Sequence, residues 1–311
     1  MTLIDLLQRT LDGLLDGSSY ALVGLGLSLT FGTLRRLNLA YGAGAMLAAY
    51  AGAWLHARHG APVWLVALAV IGVATAAGLY VDALCFAGRR GAADTARAAG
   101  PLAASDGREV VALASSFAVW MQLEQLAVHL LPRHLNPFPS LAVQAEWPVG
   151  ALVLRPDRLA LAGLAVTVTA SLALWLRASR GGLAWRAVAD QPTAAHLAGI
   201  AVARTQTSAF AAACALSGLA AFAVLALEGQ VTPMFGMWML VKGLVAAMLG
   251  GLGTVGGVLA GGLLLGVVEA HAQALLGALG REFATYALLF VVLVRPRRGA
   301  AAVEPRVRHA A

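Results

Sequence analysis

The chain of 311 residues is 60% apolar and only 12% charged, with a mean hydropathy of +0.78. Soluble domains are about half apolar and about a quarter charged, so this composition argues against a soluble fold and predicts an integral membrane protein. The formal net charge of +7 does not indicate nucleic-acid binding, because the arginines lie between or beside apolar runs, as they do in membrane loops.

Six apolar runs have the length of a membrane span, which takes about 20 mainly apolar residues. They cover 18–34, 38–57, 62–87, 110–131, 159–176 and 205–227. A further stretch, 238–294, contains an uncharged, glycine-rich part from 244 to 268 that forms either one long span or two half-helices joined by a break. The candidates for that break, or for a close helix crossing, are Gly250, Gly251, Gly253, Gly256 and Gly257. We expect an all-α polytopic membrane protein of eight or nine transmembrane helices, with residues 1–311 forming a single transmembrane domain.

The arginines predict the orientation of these spans. Loops that follow the first, third and fifth runs contain more arginine than the loops on the opposite side, so they should be cytoplasmic. The C-terminal tail, 295–311, contains five arginines and should be cytoplasmic too. With the N-terminus outside and the C-terminus inside, the number of crossings must be odd, so eight spans would require a re-entrant segment.

Polar side chains within the spans are expensive unless they are paired or wetted. The fourth run contains Gln122, Glu124, Gln125 and His129, and the helical period puts all of them except Glu124 on one face. Glu124 should face protein or water; it either lines a path or makes a structural hydrogen bond between helices. Lys242, which flanks the glycine-rich stretch, either belongs to a path or extends its amine to the membrane surface.

Motifs for enzymatic chemistry are missing from the sequence. It contains no phosphate-binding loop, no nucleophile elbow and no histidine pair at metal-binding spacing within one span. Cys85 and Cys214 lie within apolar runs and resemble buried hydrophobic residues rather than metal ligands. We therefore expect no cofactor, no metal and no enzymatic activity, so that any ATP hydrolysis would require a separate chain.

The segment 179–204 is the most structured of the polar connections. Pro192 indicates a helix start with Asp190 near its N-cap, and Gly199 suits the position that ends a helix. We expect a short cytoplasmic helix between Leu183 and Ile200, which suits a segment that passes force to a soluble partner.

Three stretches resemble the permease subunits of branched-chain amino-acid ATP-binding-cassette importers. The first is DGSSYALVGLGLSLTFG at 16–32, followed by LNLAYG at 37–42. The second runs from Ala194 and Ala195 to Gly199 and is similar to the family's coupling motif, with Thr193 in place of the acidic residue. The third combines KGLVAAMLGGLGT at 242–254 with GGVLAGGLLLG at 256–266, and an Arg-Pro pair at 295–296 resembles the family's C-terminal ends.

This resemblance implies an importer in the bacterial inner membrane. Its partners would be a second homologous permease chain, two cytoplasmic ATPase subunits and an extracytoplasmic solute-binding protein. The residues expected to couple to the ATPase are Arg186, Asp190, Pro192, Ala194, Ala195 and Gly199. Those expected along the translocation path are Asn38, Tyr41, Gln122, Glu124 and Lys242.

Departures from the family pattern keep other substrates and classes open. Tyr41 and Ala43 stand where the family has a histidine and an acidic or polar residue, so urea or short amides are alternatives to branched-chain amino acids. A stand-alone secondary transporter or channel is the main rival from another class, since Glu124 could then carry a coupling ion. A membrane-embedded enzyme is more remote.

Overall fold

The computed structural model describes residues 3–34, 38–87, 106–130, 136–141, 147–149 and 152–294. The tail 295–311, predicted to be cytoplasmic, lies outside the described residues. The helices are α1 (Leu3–Leu34), α2 (Ala40–His59), α3 (Val63–Val81, continued by a π-helix, Asp82–Ala87), α4 (Asp106–Leu130), α5 (Pro156–Ala178), α6 (Arg180–Asp190), α7 (Pro192–Leu197), α8 (Val202–Glu228), α9 (Phe235–Gly250), α10 (Val255–Leu276) and α11 (Ala278–Val294). The short strands are β1 (Asn136–Pro137), β2 (Trp147–Val149), β3 (Leu152–Leu154) and β4 (Gln230–Val231).

Helices dominate because a chain in lipid must satisfy its backbone hydrogen bonds internally. Within the described residues, five helices are long and apolar enough to cross a membrane: α1, α3 with its π-helical end, α5, α8 and α10. Helix α9 is equally apolar but has only 16 residues. The prediction of an all-α polytopic membrane fold is therefore confirmed.

The antiparallel pair α1 and α10 forms the most extensive helix contact among the described residues, and glycines make it possible. A Cβ at Gly17 would lie 2.6 Å from the carbonyl oxygen of Gly262, and a Cβ at Gly266 would overlap the carbonyl oxygen of Gly13. Small residues let the two backbones approach closely, which is how membrane helices gain packing energy without a hydrophobic driving force.

Helix α1 extends well beyond the first predicted run. It begins at Leu3 rather than near residue 18, and its first half contains charged residues that an apolar window does not accept. Asp16 is tolerated there because its Oδ1 accepts a hydrogen bond from Arg158 Nη1 on α5 at 2.8 Å. The pairing across 142 residues explains why the sequence pattern underestimated the helix.

The bundle has two distinct ends. At one end, which we call the α6–α7 end, helix α5 leads into α6 and α7 before α8 returns. The C-terminal part of α1 and the turn after α9 reach the same end, since Gly32 and Gly253 line one cavity together with Trp185 of α6. The opposite end contains the antiparallel pair β1–β4, whose strand β4 follows directly on the end of α8.

Candidate coupling segment and polar sites of the bundle

Helix α6 is fixed to the bundle by a cap and by two tryptophans. The Ser179 Oγ accepts a hydrogen bond from the Gly182 backbone N–H at 2.8 Å, which caps the helix. The Trp185 and Trp175 rings meet edge to face with centroids 4.6 Å apart. Trp185 Nε1 also donates to Ser208 Oγ on α8 at 3.1 Å, so one side chain connects α6 to both flanking helices.

Helix α7 begins and ends where the sequence indicates. Pro192 is its first residue, and Gly199 has a φ of +82°, the left-handed conformation that favours glycine. The Ile200 N–H donates to the Ala195 carbonyl at 3.0 Å and closes the C-terminus. The segment is nevertheless two helices rather than the single short helix expected, because Gln191 takes an extended conformation ahead of Pro192.

The exposed surface of this segment differs from the one expected. Ala195 is buried in the chain's own fold with 4% of its surface exposed, so it supports α7 from inside, and its expected part in coupling to the ATPase stays a prediction. Arg186, Asp190 and Ala194 are exposed, as a docking surface requires. The most exposed large hydrophobic side chain of the segment is Leu197, at 84%. Sequence reasoning missed it, although a leucine at the end of a short capped helix in a polar loop is a usable signal.

The glycine-rich stretch contains a turn between α9 and α10. Gly251 and Gly253 have φ values of +89° and +88°, and the Gly253 N–H donates to Ser28 Oγ of α1 at 2.9 Å. The two helices cross closely beside the turn. The distance between them is so short that a Cβ at Gly257 would overlap the carbonyl oxygen of Gly250. Gly256 is exposed with open space at its Cβ position, so its expected role in the crossing is wrong.

A small apolar cavity of about 70 Å³ joins this turn to α6. Trp185 and Arg186 line it from α6, Ser28 from α1, and Gly253 from the turn. The coupling segment therefore adjoins the glycine turn as well as the two helices that flank it in sequence.

Lys242 lies in a buried ion cluster. Only 1% of its surface is exposed, and its Nζ contacts the carboxylate of Glu269, which is equally buried. The same Nζ donates to Thr285 Oγ1 at 2.8 Å, and the Tyr20 hydroxyl donates to Glu269 Oε2 at 2.7 Å. The alternative that Lys242 extends to the membrane surface is wrong, because a carboxylate within the bundle satisfies its charge.

Asn38 and Tyr41 are also buried rather than facing an open path in this conformation. Asn38 Oδ1 accepts a hydrogen bond from the Ala40 N–H at 3.0 Å at the start of α2. The Tyr41 hydroxyl donates to the Val23 carbonyl of α1 at 2.9 Å. Both side chains hold α2 in place in this conformation, and their expected place along the translocation path stays a prediction.

Helix α4 presents the polar face that its periodicity predicts. Gln122, Gln125 and His129 are all exposed, and Gln122 Oε1 accepts a hydrogen bond from the Tyr80 hydroxyl of α3 at 3.0 Å. Glu124 is half-buried, and its Oε2 accepts from Trp120 Nε1 at 2.6 Å. The carboxylate therefore faces protein on one side, as its cost in lipid requires.

Comparison with known proteins identifies the family. Residues 9–294 match the family described as the permease component of branched-chain amino acid transport systems. The chain belongs to this family.

Within the described residues, no group of three His, Cys, Asp or Glu side chains could hold a metal ion.

Several relatives of this permease family cover almost the whole chain. The LivH permease protein of the high-affinity branched-chain amino acid transport system of Salmonella typhimurium is 29% identical over 298 residues, which is 93% of this chain and 92% of LivH. LivH of Escherichia coli K12 is 27% identical over the same shares. BraD of Pseudomonas aeruginosa, from a system of the same description, is 27% identical over 93% of both chains. Family membership and the long apolar helices together identify the protein as a multi-pass membrane permease.

Proposed function

We propose that this chain is the transmembrane permease subunit of an ATP-binding-cassette importer that carries branched-chain amino acids across the bacterial inner membrane into the cytoplasm. The observation that carries the proposal is the α6–α7 pair: two capped helices at one end of the bundle, with Leu197 exposed and Trp185 anchored between α5 and α8. The family and the printed names of the relatives support the substrate.

We infer nine crossings, in which the five long apolar helices are joined by α2, α4, α9 and α11, which pack against them. These would be α1 to α5 and α8 to α11, with the α6–α7 end of the bundle in the cytoplasm. Nine is an odd number, so the N-terminus would be outside and the tail 295–311 inside, in agreement with the arginine distribution. The turn between α9 and α10 would then lie on the cytoplasmic side.

Energy would come from two cytoplasmic ATPase subunits, because the sequence contains no phosphate-binding loop of its own. The exposed face of α6 and α7, with Arg186, Asp190, Ala194 and Leu197, would fit into a cleft of one ATPase. Movement there would reach α5 and α8 through Trp185. It would reach α1 and the glycine turn through the cavity that Trp185 shares with Ser28 and Gly253.

The path itself would run between this chain and a second homologous permease chain. The exposed polar face of α4 supports this placement, since Gln122, Gln125 and His129 would be costly against lipid and are satisfied against water or protein. Glu124 would lie at the edge of the path. An extracytoplasmic solute-binding protein would deliver the substrate to the end of the bundle opposite α6 and α7.

One observation favours the stand-alone carrier as a second candidate. Lys242 and Glu269 are ionisable groups buried among membrane helices, which is where a secondary transporter binds its coupling ion. Against it, the pair is internally neutralised, and a carrier working alone has no use for a docking surface on α7.

Reconstitution into proteoliposomes tests the proposal. The proteoliposomes contain the ATPases and the second permease, and the binding protein is added outside. We expect leucine uptake that requires ATP within the proteoliposomes and is unaffected by collapse of ion gradients. Uptake driven by an ion gradient without ATP would overturn it in favour of the carrier. ATP-driven uptake of urea or acetamide without leucine would correct the substrate alone.

A further inference from the structure

The end of the bundle opposite α6 and α7 contains a charged cavity that is separate from the coupling segment. Its volume is about 220 Å³, below the roughly 300 Å³ at which pockets for drug-sized ligands begin, so it suits a small solute. Helices α1, α5, α8, α9 and α11 contribute its walls.

One part of the wall offers free hydrogen-bond donors to an anion. Arg158 uses Nη1 for Asp16, and Arg155 uses Nη2 for Asp157, both in bonds of 2.7–2.8 Å. A guanidinium has five N–H donors, so each keeps further donors. The two arginine side chains remain 31% and 42% exposed, and both line the cavity. Guanidinium groups commonly bind carboxylates through two parallel N–H donors, so arginines with unused donors suit a carboxylate ligand.

Another part of the wall offers a carboxylate. Glu228, the last residue of α8, is exposed at the cavity and makes no hydrogen bond or ion pair within the described part of the chain. Its negative charge lies near Arg281 but is not paired with it. A carboxylate without an ion pair among the described residues is available to a cation.

The third part of the wall is apolar. Leu161, Val224 and Leu227 line the cavity beside the charged groups, and the Trp238 ring lines it from α9. A solute that fits this cavity would therefore have an anionic group, a cationic group and a compact apolar body.

We propose that this cavity is a receiving site for a zwitterionic amino acid with a branched aliphatic side chain. Arg155 and Arg158 bind its carboxylate, Glu228 binds its ammonium group, and Leu161, Val224 and Leu227 surround its side chain. The description of this cavity as a receiving site rests on the proposed function, which gives the direction of transport. The first contact with the substrate would then lie within a single permease chain.

Ligand analogues separate this role from a purely structural network of ion pairs. The complete transporter in nanodiscs, without binding protein, is titrated with leucine, leucinamide, which lacks the carboxylate, and N-acetylleucine, which lacks the ammonium group. Glu228→Gln should weaken leucine and leucinamide about tenfold, the effect of one charge-assisted hydrogen bond, and leave N-acetylleucine unchanged. Arg155→Gln should weaken leucine and N-acetylleucine and spare leucinamide.

Two variants at exposed positions outside the cavity serve as matched controls. Asp5→Asn and Arg58→Gln make the same chemical changes and should bind all three ligands as the wild type does. Glu228 makes no hydrogen bond or ion pair with another described residue, so its replacement by Gln removes only the longer-range attraction of Arg281. Equal losses for all three ligands, or wild-type binding by Glu228→Gln while the wild type imports leucine, would overturn the site alone. Absence of ATP-driven uptake by the wild type would instead overturn the proposed function, whatever the binding data show.

Discussion

Lys242 of α9 and Glu269 of α10 form a buried ion pair between the two helices that the glycine turn separates. Thr285 of α11 and Tyr20 of α1 complete the hydrogen bonding of the pair. Four helices therefore meet at one neutralised cluster. Because a lone charge would be costly in the bundle, the cluster favours a single arrangement of these helices.

Removing one partner of this pair should destabilise the protein strongly. Lys242→Met or Glu269→Gln should cost toward the lower end of about 3–5 kcal/mol, because Glu282 remains 3.7 Å from Lys242 and Arg281 remains 3.1 Å from Glu269. The double variant Lys242→Met with Glu269→Leu should recover part of that loss, since neither member of the buried pair is left without the other and Arg281 keeps Asp16 at 3.7 Å. Thermal unfolding in detergent measures all three, and single variants as stable as the wild type would rule out the pair as a structural lock.

Substitution of one glycine tests the close crossing of α9 and α10, and the preceding glycine serves as its control. Gly257→Ala should impair assembly, because the new Cβ would overlap the Gly250 carbonyl oxygen. Gly256→Ala should be tolerated, since nothing lies within 4 Å of its Cβ position. Yield of folded permease in size-exclusion chromatography compares them. Equal yields would show that the helices do not cross this closely.

The end of α7 depends on backbone conformation rather than on space. Nothing lies within 4 Å of a Cβ at Gly199, so only its φ of +82° opposes other residues. We expect Gly199→Val to lower substrate-stimulated ATPase activity more than Gly199→Asn does, because asparagine tolerates this conformation and valine is strained there by about 1–2 kcal/mol or more. Similar activities of the two variants would contradict a role for this cap in coupling.

Two substitutions of Glu124 distinguish a role at a water-filled translocation path from a purely structural hydrogen bond. Glu124→Gln keeps an acceptor for Trp120 Nε1, whereas Glu124→Leu removes it. If the carboxylate borders the path, leucine uptake should be retained better by the Gln variant than by the Leu variant, with both proteins inserted in the membrane. Full uptake by both variants would place Glu124 outside the path.

Local signals allowed the sequence to predict part of this arrangement. Pro192 and Gly199 set the bounds of α7 through their own backbone preferences, and helical periodicity placed Gln122, Gln125 and His129 on one face. Each of these inferences needs only neighbouring residues.

Other features depend on contacts between distant parts of the chain, which a single sequence does not reveal. Glu269 lies 27 residues after Lys242, so their pairing follows only from the antiparallel return of α10 on α9. The burial of Ala195 depends likewise on how α7 packs against α6 and α8. Gly256 and Gly257 are identical residues in adjacent positions, so the sequence alone does not show which of them faces Gly250. The rotation of α10 about its axis decides it.

Cysteine cross-linking at the end of α7 tests the central claim most directly. Leu197→Cys is the probe; Ala195→Cys, two residues away and buried, and Leu275→Cys, 73% exposed at the far end of α10, are the controls. The native Cys85 and Cys214 are buried and should contribute little background. We predict that position 197 cross-links to the ATPase subunit and that neither control does. Labelling of position 197 from the extracytoplasmic side, or cross-linking of position 275 to the ATPase, would contradict both the orientation and the coupling role.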